Sequence, residues 1–247
     1  MDVKIYRRPT WVGFGNLVLH LGRIYQIHKY IAENVLDNEF GTCVSLDWFE
    51  VIKDDEKYEQ ACYPLVLCDE TFLNYKRILP RMMRPTPYMQ SLINQNVHLL
   101  AGVTAGVNIR RGSYSEDTKQ YEDGGGPQHY FCSDTGLENF IKIIRAEPGR
   151  VYVTSDSPST KNKLKEIFGE KVTMNETEYV HTSDEDWAGK RTVKNMQDVY
   201  LVWFLLSMCP KIYITTGRPN SGLSGLSTFG LAAALYGNKP TFDVFNT

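Results

Sequence analysis

Cysteine is scarce in this chain of 247 residues, and the five present (Cys43, Cys62, Cys68, Cys132, Cys209) are odd in number and scattered, mostly inside apolar runs. That pattern suits reduced core thiols better than disulfides or a zinc site. Excess charge of either sign is also missing. Lys plus Arg number 27 against 29 Asp plus Glu, for a formal charge of -2, and no Lys/Arg-rich run occurs. Any anion is then met locally rather than by a global field, and nucleic acid is not an expected partner. No stretch approaches the ~20 apolar residues of a membrane span, and the first residues, Met1-Asp-Val-Lys-Ile-Tyr-Arg-Arg-Pro9, lack the apolar core of a signal peptide. A soluble, cytoplasmic protein is the expectation. Asn175-Glu-Thr177 would accept a glycan only in a secretory lumen. Gly102-Val-Thr-Ala-Gly106 lacks the glycine spacing and following acid of a dinucleotide site, which argues against a nicotinamide enzyme.

What is present is enough apolar material for a packed core, 42% of residues, of which aromatics make up a large share. Strand-like and helix-like patches alternate, which predicts an α/β fold with a mostly parallel sheet. In the first part, strands are predicted over 3–6, 42–46 and 64–68, with a turn at Gly13-Phe-Gly-Asn16. Leu17, Leu21, Ile24, Ile27 and Ile31 recur at helical spacing and predict a helix over 17–36. Pro80, Pro85 and Pro87 interrupt regular structure and mark the expected boundary between domains 1–87 and 88–247. Beyond it, strands are predicted over 103–109, 151–154, 212–215 and 240–244, and helices over 137–145, 159–168, 196–209 and 228–236. Gly124-Gly-Gly126 reads as a loop tip.

Two segments carry chemistry. In Val107-Asn-Ile-Arg-Arg-Gly-Ser113, two adjacent arginines follow an apolar strand. A guanidinium is planar, always charged and forked, so one arginine can hold two phosphate oxygens while a second neutralises remaining charge. The carboxyl ends of strands are where open α/β sheets bind ligands. Two surface arginines after a strand are the plain alternative. In the second segment, Leu223 to Gly237, a glycine-rich loop runs into a helix. Ser227 or Thr228 can cap that helix, and its free N–H groups and dipole offer positive potential to an anion. Gly230, Ala232, Ala233 and Ala234 let it approach a sheet closely. An ordinary capped helix accounts for the same residues.

Ile-Arg-Arg-Gly (109–112), Val-Tyr-Val-Thr-Ser-Asp (151–156), Phe-Leu-Leu-Ser-Met-Cys-Pro-Lys-Ile-Tyr-Ile-Thr-Thr (204–216) and Leu-Ser-Thr-Phe-Gly (226–230) stand in the order and spacing of GDP-fucose-dependent fucosyltransferases. The chain resembles most the α1,2 and xyloglucan-type enzymes, and Gly13-Phe-Gly-Asn16 resembles their amino-terminal Gly-Leu-Gly-Asn turn. The likeness covers 101–240 and finds nothing specific between 37 and 99. It implies a GT-B-like architecture of two Rossmann-like domains, with the carboxyl-terminal one binding the donor nucleotide and the amino-terminal one on the acceptor side. It also implies an inverting transfer of fucose from GDP-fucose to a glycan hydroxyl, with no metal and no cofactor beyond the GDP-sugar donor. By motif position the resemblance implies that Arg110, alone or joined by Arg111, binds the diphosphate, and that Ser227, Thr228 and Phe229 hold the β-phosphate side. Gly15 and Asn16 join the donor site. Asp156 contacts the nucleoside or ribose, or else caps the helix after Pro158.

Departures from the family pattern are equally specific. Asn108 and Ser113 stand where relatives have His and Asp, and Asn108 can hydrogen-bond but cannot carry charge. Relatives have an acid where this chain has Val202, while Asp198 lies one turn earlier on the same face. There it can accept N1–H and N2–H2 of guanine, or else be a solvated helix-start residue. A general base is expected among Glu116, Asp117, Glu122, Asp123 and His129, with Glu116 and Asp117 nearest the strand end. Asp184-Glu-Asp186 resembles the metal motif of other glycosyltransferases, but a charged loop explains it. The alternative function is a catalytically silent sugar-nucleotide or glycan-binding module, which Asn108 and Ser113 favour.

Overall fold

The structure, a computed structural model, describes residues 14–24, 30–32, 43–45, 50–52, 69–112, 114–115, 118, 120–121, 131–176, 193–217 and 227–245. In chain order the amino-terminal elements are α1 (Phe14–Ile24), β1 (Tyr30–Ala32), β2 (Val44–Ser45), β3 (Glu50–Ile52), α2 (Asp69–Met82), β4 (Arg84–Pro85) and α3 (Pro87–Asn96). The rest are β5 (Val103–Ile109), β6 (Tyr114–Ser115), β7 (Gln120–Tyr121), α4 (Asp134–Ala146), β8 (Arg150–Ser155), α5 (Pro158–Phe168), β9 (Val172–Thr173), α6 (Val193–Met208), β10 (Ile212–Thr216), α7 (Thr228–Tyr236) and β11 (Thr241–Phe245).

Five strands form one sheet in the order β11-β10-β5-β8-β9, and every pairing in it is parallel. Both faces are covered, so the strands are apolar on both sides. On β8, Val151 and Val153 enter one core with α4 and α5, where Phe140, Ile144 and Leu164 lie. Tyr152, between them, points to the opposite core with α6 and α7. That second core is larger and continuous, taking in Leu17 and Leu21 of α1, Tyr75 and Leu79 of α2, and Met89 of α3 alongside Trp203 and the α7 alanines. Thus α1 and α2 rest on α7, and α3 rests on α6, through buried apolar surface.

The α/β class with a parallel sheet is as expected, and several elements differ in extent. The helix expected over 17–36 stops at Ile24, and Tyr30–Ala32 is a strand paired in parallel with β3. Ile27, Tyr30 and Ile31 are β-branched or aromatic, and a short apolar run of that kind fits either period. Pro80 lies inside α2, in its last turn, and does not end it. Pro87 opens α3, where a missing N–H costs nothing, and Thr86 Oγ1 accepts from Met89 N at 3.2 Å to cap it. The strands expected over 3–6 and 64–68 lie outside the described residues, as do Cys62 and Cys68. Cys43, Cys132 and Cys209 are buried and not joined in disulfides, as the sequence suggests.

At the amino ends of β5 and β10, the buried Glu147 anchors a partly buried polar cluster. It accepts from Lys211 Nζ at 2.8 Å, Tyr213 Oη at 2.9 Å and Thr104 Oγ1 at 3.0 Å. Burial pushes its pKa up, but the hydrogen bonds from Lys211, Tyr213 and Thr104 outweigh that and hold it below the ordinary value of 4.5. A depressed carboxylate contributes stability that is complete above the unfolded pKa and is lost as pH falls through the folded one. Glu147→Gln is therefore expected to cost about 1–3 kcal/mol at pH 7 and to flatten the acid limb of stability below about pH 4.5. Urea titrations of both proteins from pH 3 to 7 measure it, and parallel curves would refute it.

Candidate functional site

Chain order and sheet order part company between β5 and β10. From β5 the chain runs outward through β8 and β9, then crosses back to β10 and β11 on the other side. In such sheets the crevice beyond the carboxyl ends of the two strands at the reversal is the binding site, because the loops leaving them diverge. Arg110 leaves β5 there, and β10 leads to the start of α7.

The two arginines have different surroundings. Arg111 is 1% exposed. Its Nη1 donates to the Cys132 carbonyl at 2.7 Å and its Nη2 pairs with Asp134, tying the end of β5 to the first turn of α4. Arg110 is 20% exposed in its side chain, lies 5.4 Å from the Phe131 ring centroid, and sets Nη1 3.3 Å from Asp156 Oδ2. Its main chain is fixed as well. Arg110 N donates to Thr215 Oγ1 at 3.2 Å and its carbonyl accepts from Cys132 N at 2.5 Å. The sequence reading gave the diphosphate to Arg110 and left open whether Arg111 joins it; in the structure Arg110 stands at the crevice and Arg111 turns into the protein.

Asp156 follows β8 and turns inward to this loop. Oδ1 accepts from Arg111 N at 2.6 Å and from Gly112 N at 2.8 Å. Capping of α5 falls to Ser157 instead, whose Oγ accepts from Thr160 N at 3.2 Å. Gly112 is required by this approach, since a Cβ there would lie 2.9 Å from the Asp156 carboxyl carbon.

Asn108 is 6% exposed and committed on both sides. Its Nδ2 donates to Thr154 Oγ1 at 3.0 Å, and its Oδ1 accepts from Ser227 Oγ at 2.6 Å. Ser227 occupies the N-cap position of α7, yet its hydroxyl makes no capping bond. The hydroxyl is turned to Asn108, so the first-turn N–H groups of α7 are not satisfied by that side chain. Ser227 N donates to the Thr215 carbonyl at 3.0 Å, while Thr215 Oγ1 donates to the Asn108 carbonyl at 3.0 Å. Thr215 thus links Arg110, Asn108 and Ser227. Sequence reading missed it because a threonine at a strand end carries no spacing signal. Gly230 lets α7 sit this low, since a Cβ would come within 2.6 Å of Ile214 Cγ2 and 2.9 Å of Asn108.

Gly15 brings α1 to the same place. A Cβ on it would lie 2.4 Å from Phe229 N and 2.4 Å from Thr228 C, so the starts of α1 and α7 touch backbone to backbone. Asn16, half-buried, follows it, and Thr228 and Phe229 are half-buried too. Asp198 is 8% exposed and pairs with Lys194 one turn back. Because α6 leads directly into β10, its opening turns lie toward the carboxyl end of the sheet, the end that carries Arg110 and Ser227. Glu116, Asp117, Glu122, Asp123, His129, Ser113, Asp184 and Asp186 lie outside the described residues.

The arrangement offers one partly exposed guanidinium and one helix amino terminus, both held from behind by hydroxyl, amide and carboxylate groups. Such a site neutralises and positions an anion. Burial pushes the Cys132 thiol up to about 12 even with Arg111 beside it, so it rests protonated. Among the described residues, no group of three or more His, Cys, Asp or Glu could hold a metal ion.

Neither a family model nor a curated protein matches this sequence. Solved structures do. The chain aligns with the NodZ alpha-1,6-fucosyltransferase co-crystallised with GDP at a TM-score of 0.53 and 14% identity, covering 94% of this chain and 92% of that one. The NodZ structure soaked with GDP-fucose gives 0.54 and 13%, over 96% and 93%. The fucosyltransferase NodZ from Bradyrhizobium gives 0.53 and 13%, over 94% and 92%. Over nearly the whole of both chains, then, this protein is similar in fold to a fucosyltransferase.

Proposed function

We propose that this chain transfers fucose from GDP-fucose to a hydroxyl of a glycan acceptor, with inversion at the sugar carbon and without a metal ion. The observation that carries the reading is the meeting of Arg110 and the start of α7, where Ser227 Oγ turns to Asn108, at the point where the sheet order reverses. The fold likeness to NodZ, a protein co-crystallised with GDP and soaked with GDP-fucose, supports a guanosine diphosphate rather than another anion. In the reaction the acceptor oxygen bonds to the sugar carbon as the bond from that carbon to the diphosphate breaks. The electron pair leaves with GDP. Charge therefore grows on the β-phosphate, and a fixed guanidinium and helix N–H groups aimed there stabilise the transition state more than the ground state. Residues 88–247 bind the donor and 1–87 serve the acceptor. Asp198 takes the guanine edge, Gly15, Asn16, Thr228 and Phe229 line the phosphates, and Glu116 or Asp117 receives the acceptor proton.

Thermal shifts with GDP and UDP, then GDP release from GDP-fucose over a glycan panel with and without EDTA, test the reading. GDP at 100 times its Kd is expected to stabilise the fold by about 2.7 kcal/mol. UDP lacks the two guanine donors, worth about 1–3 kcal/mol, and is expected to give little. GDP release is expected to need an acceptor and to survive chelation, since Arg110 and the helix end supply the charge neutralisation. Equal shifts for both nucleotides, or loss in EDTA restored by manganese, would count against it.

A further inference from the structure

Asp156 has the sequence position of a nucleoside contact, but its geometry faces the other way. One oxygen is occupied by two main-chain donors, Arg111 N at 2.6 Å and Gly112 N at 2.8 Å. The second lies 3.3 Å from Arg110 Nη1. Three successive residues of the arginine loop are thus held by one carboxylate from the neighbouring strand, across 44 to 46 positions of sequence. We propose that Asp156 is the positioning residue of Arg110, fixing the loop and its guanidinium for the phosphate, and that it does not read the donor's ribose.

An ionised carboxylate is acceptor-only, and charge-assisted bonds to it are about twice as strong as neutral ones. Two short N–H bonds and an ion pair use the directions facing the loop, and the absent Cβ of Gly112 is what allows the contact. Among the described residues no hydrogen bond reaches Oδ2, yet the atom is buried beside Arg110 Nη1, so a ribose hydroxyl would have to displace that guanidinium to reach it. Positioning, by contrast, has an evident use. An arginine has four side-chain torsions to fix, and freezing them before the ligand arrives removes an entropic cost of binding.

The inference rests on the donor reading above, and its test separates the two. Asp156→Asn is nearly isosteric and keeps one acceptor oxygen, while Gly112→Ala leaves the carboxylate intact but drives a methyl against it. Hydrogen exchange at Arg111 and Gly112, measured without ligand, is expected to rise in both variants. Calorimetry with GDP and 2′,3′-dideoxy-GDP is expected to show about a tenfold loss for both nucleotides alike, the size expected on removing a charged hydrogen bond. In an Arg110→Ala background, Asp156→Asn is expected to change affinity less than about twofold, because the group it positions is gone. Unchanged exchange overturns the proposal. So does a loss confined to GDP with the dideoxy nucleotide unaffected, the signature of a ribose contact, or a full tenfold loss persisting without Arg110. A wild-type protein that binds neither nucleotide would overturn the fucosyltransferase reading, and the exchange result alone would then decide whether Asp156 braces the loop.

Discussion

Arg110→Lys is expected to lower kcat/KM for transfer about a hundredfold or more while the melting temperature stays near that of the wild type. Lysine keeps the charge but not the planar fork, so one point contact replaces a two-pronged one to the phosphate oxygens. Because the contact strengthens as the diphosphate leaves, kcat falls along with KM rising. Stability changes little, since the side chain is partly exposed and its main-chain bonds to Thr215 and Cys132 survive the substitution. Arg111→Lys reverses the pattern. Its buried guanidinium joins the Cys132 carbonyl to the partly exposed Asp134 through two different nitrogens, a reach that the single nitrogen of an ammonium cannot match. A loss of about 2–4 kcal/mol in folding stability is expected, the range for weakening a buried, hydrogen-bonded charge, with kinetics of the folded fraction less affected. Steady-state kinetics and urea unfolding on both variants read this crossing pattern. Two variants alike in stability and alike in rate would show that burial does not divide the pair.

Which of the two arginines turns inward was not legible in the sequence. Adjacent residues on a strand point to opposite faces, which predicts that the arginines differ. Which one enters the core depends on α4, since Arg111's partners are Cys132 and Asp134 and no local pattern links those to the β5 end. Strand Val103–Ile109 and helix Thr228–Tyr236, by contrast, were read to the residue. Both are bounded by strong local signals, glycine and arginine at one, serine and glycine at the other. Asn108 and Ser227 were each singled out, but as separate ligand contacts. Their bond to one another spans 119 positions, and its consequence, a serine at a cap position that does not cap, is a tertiary effect overriding a local preference. The same logic explains Asp156. Spacing marked the residue, and only the sheet register, which sets Ile109 beside Ser155, reveals what it faces.

Gly15→Ala is expected to cost about 1–3 kcal/mol of stability and to weaken GDP binding as well. Taken locally, the substitution should help, since alanine exceeds glycine by about 1 kcal/mol in helix propensity. Packing decides otherwise. The added methyl would fall 2.4 Å from both Phe229 N and Thr228 C, and 2.7 Å from Thr228 O. These are backbone atoms of the first turn of α7, which cannot rotate aside as a side-chain tip can, so one helix must move. Either movement opens the larger core, where Leu17 and Leu21 meet the α7 alanines, and displaces Thr228 and Phe229 from the crevice. Stability and nucleotide affinity should therefore fall together. Urea unfolding and GDP calorimetry on the variant give both numbers. Lower stability with unchanged GDP affinity would mean that α1 supports the fold but not the donor site, and an unaltered protein would mean that the helices do not meet at Gly15.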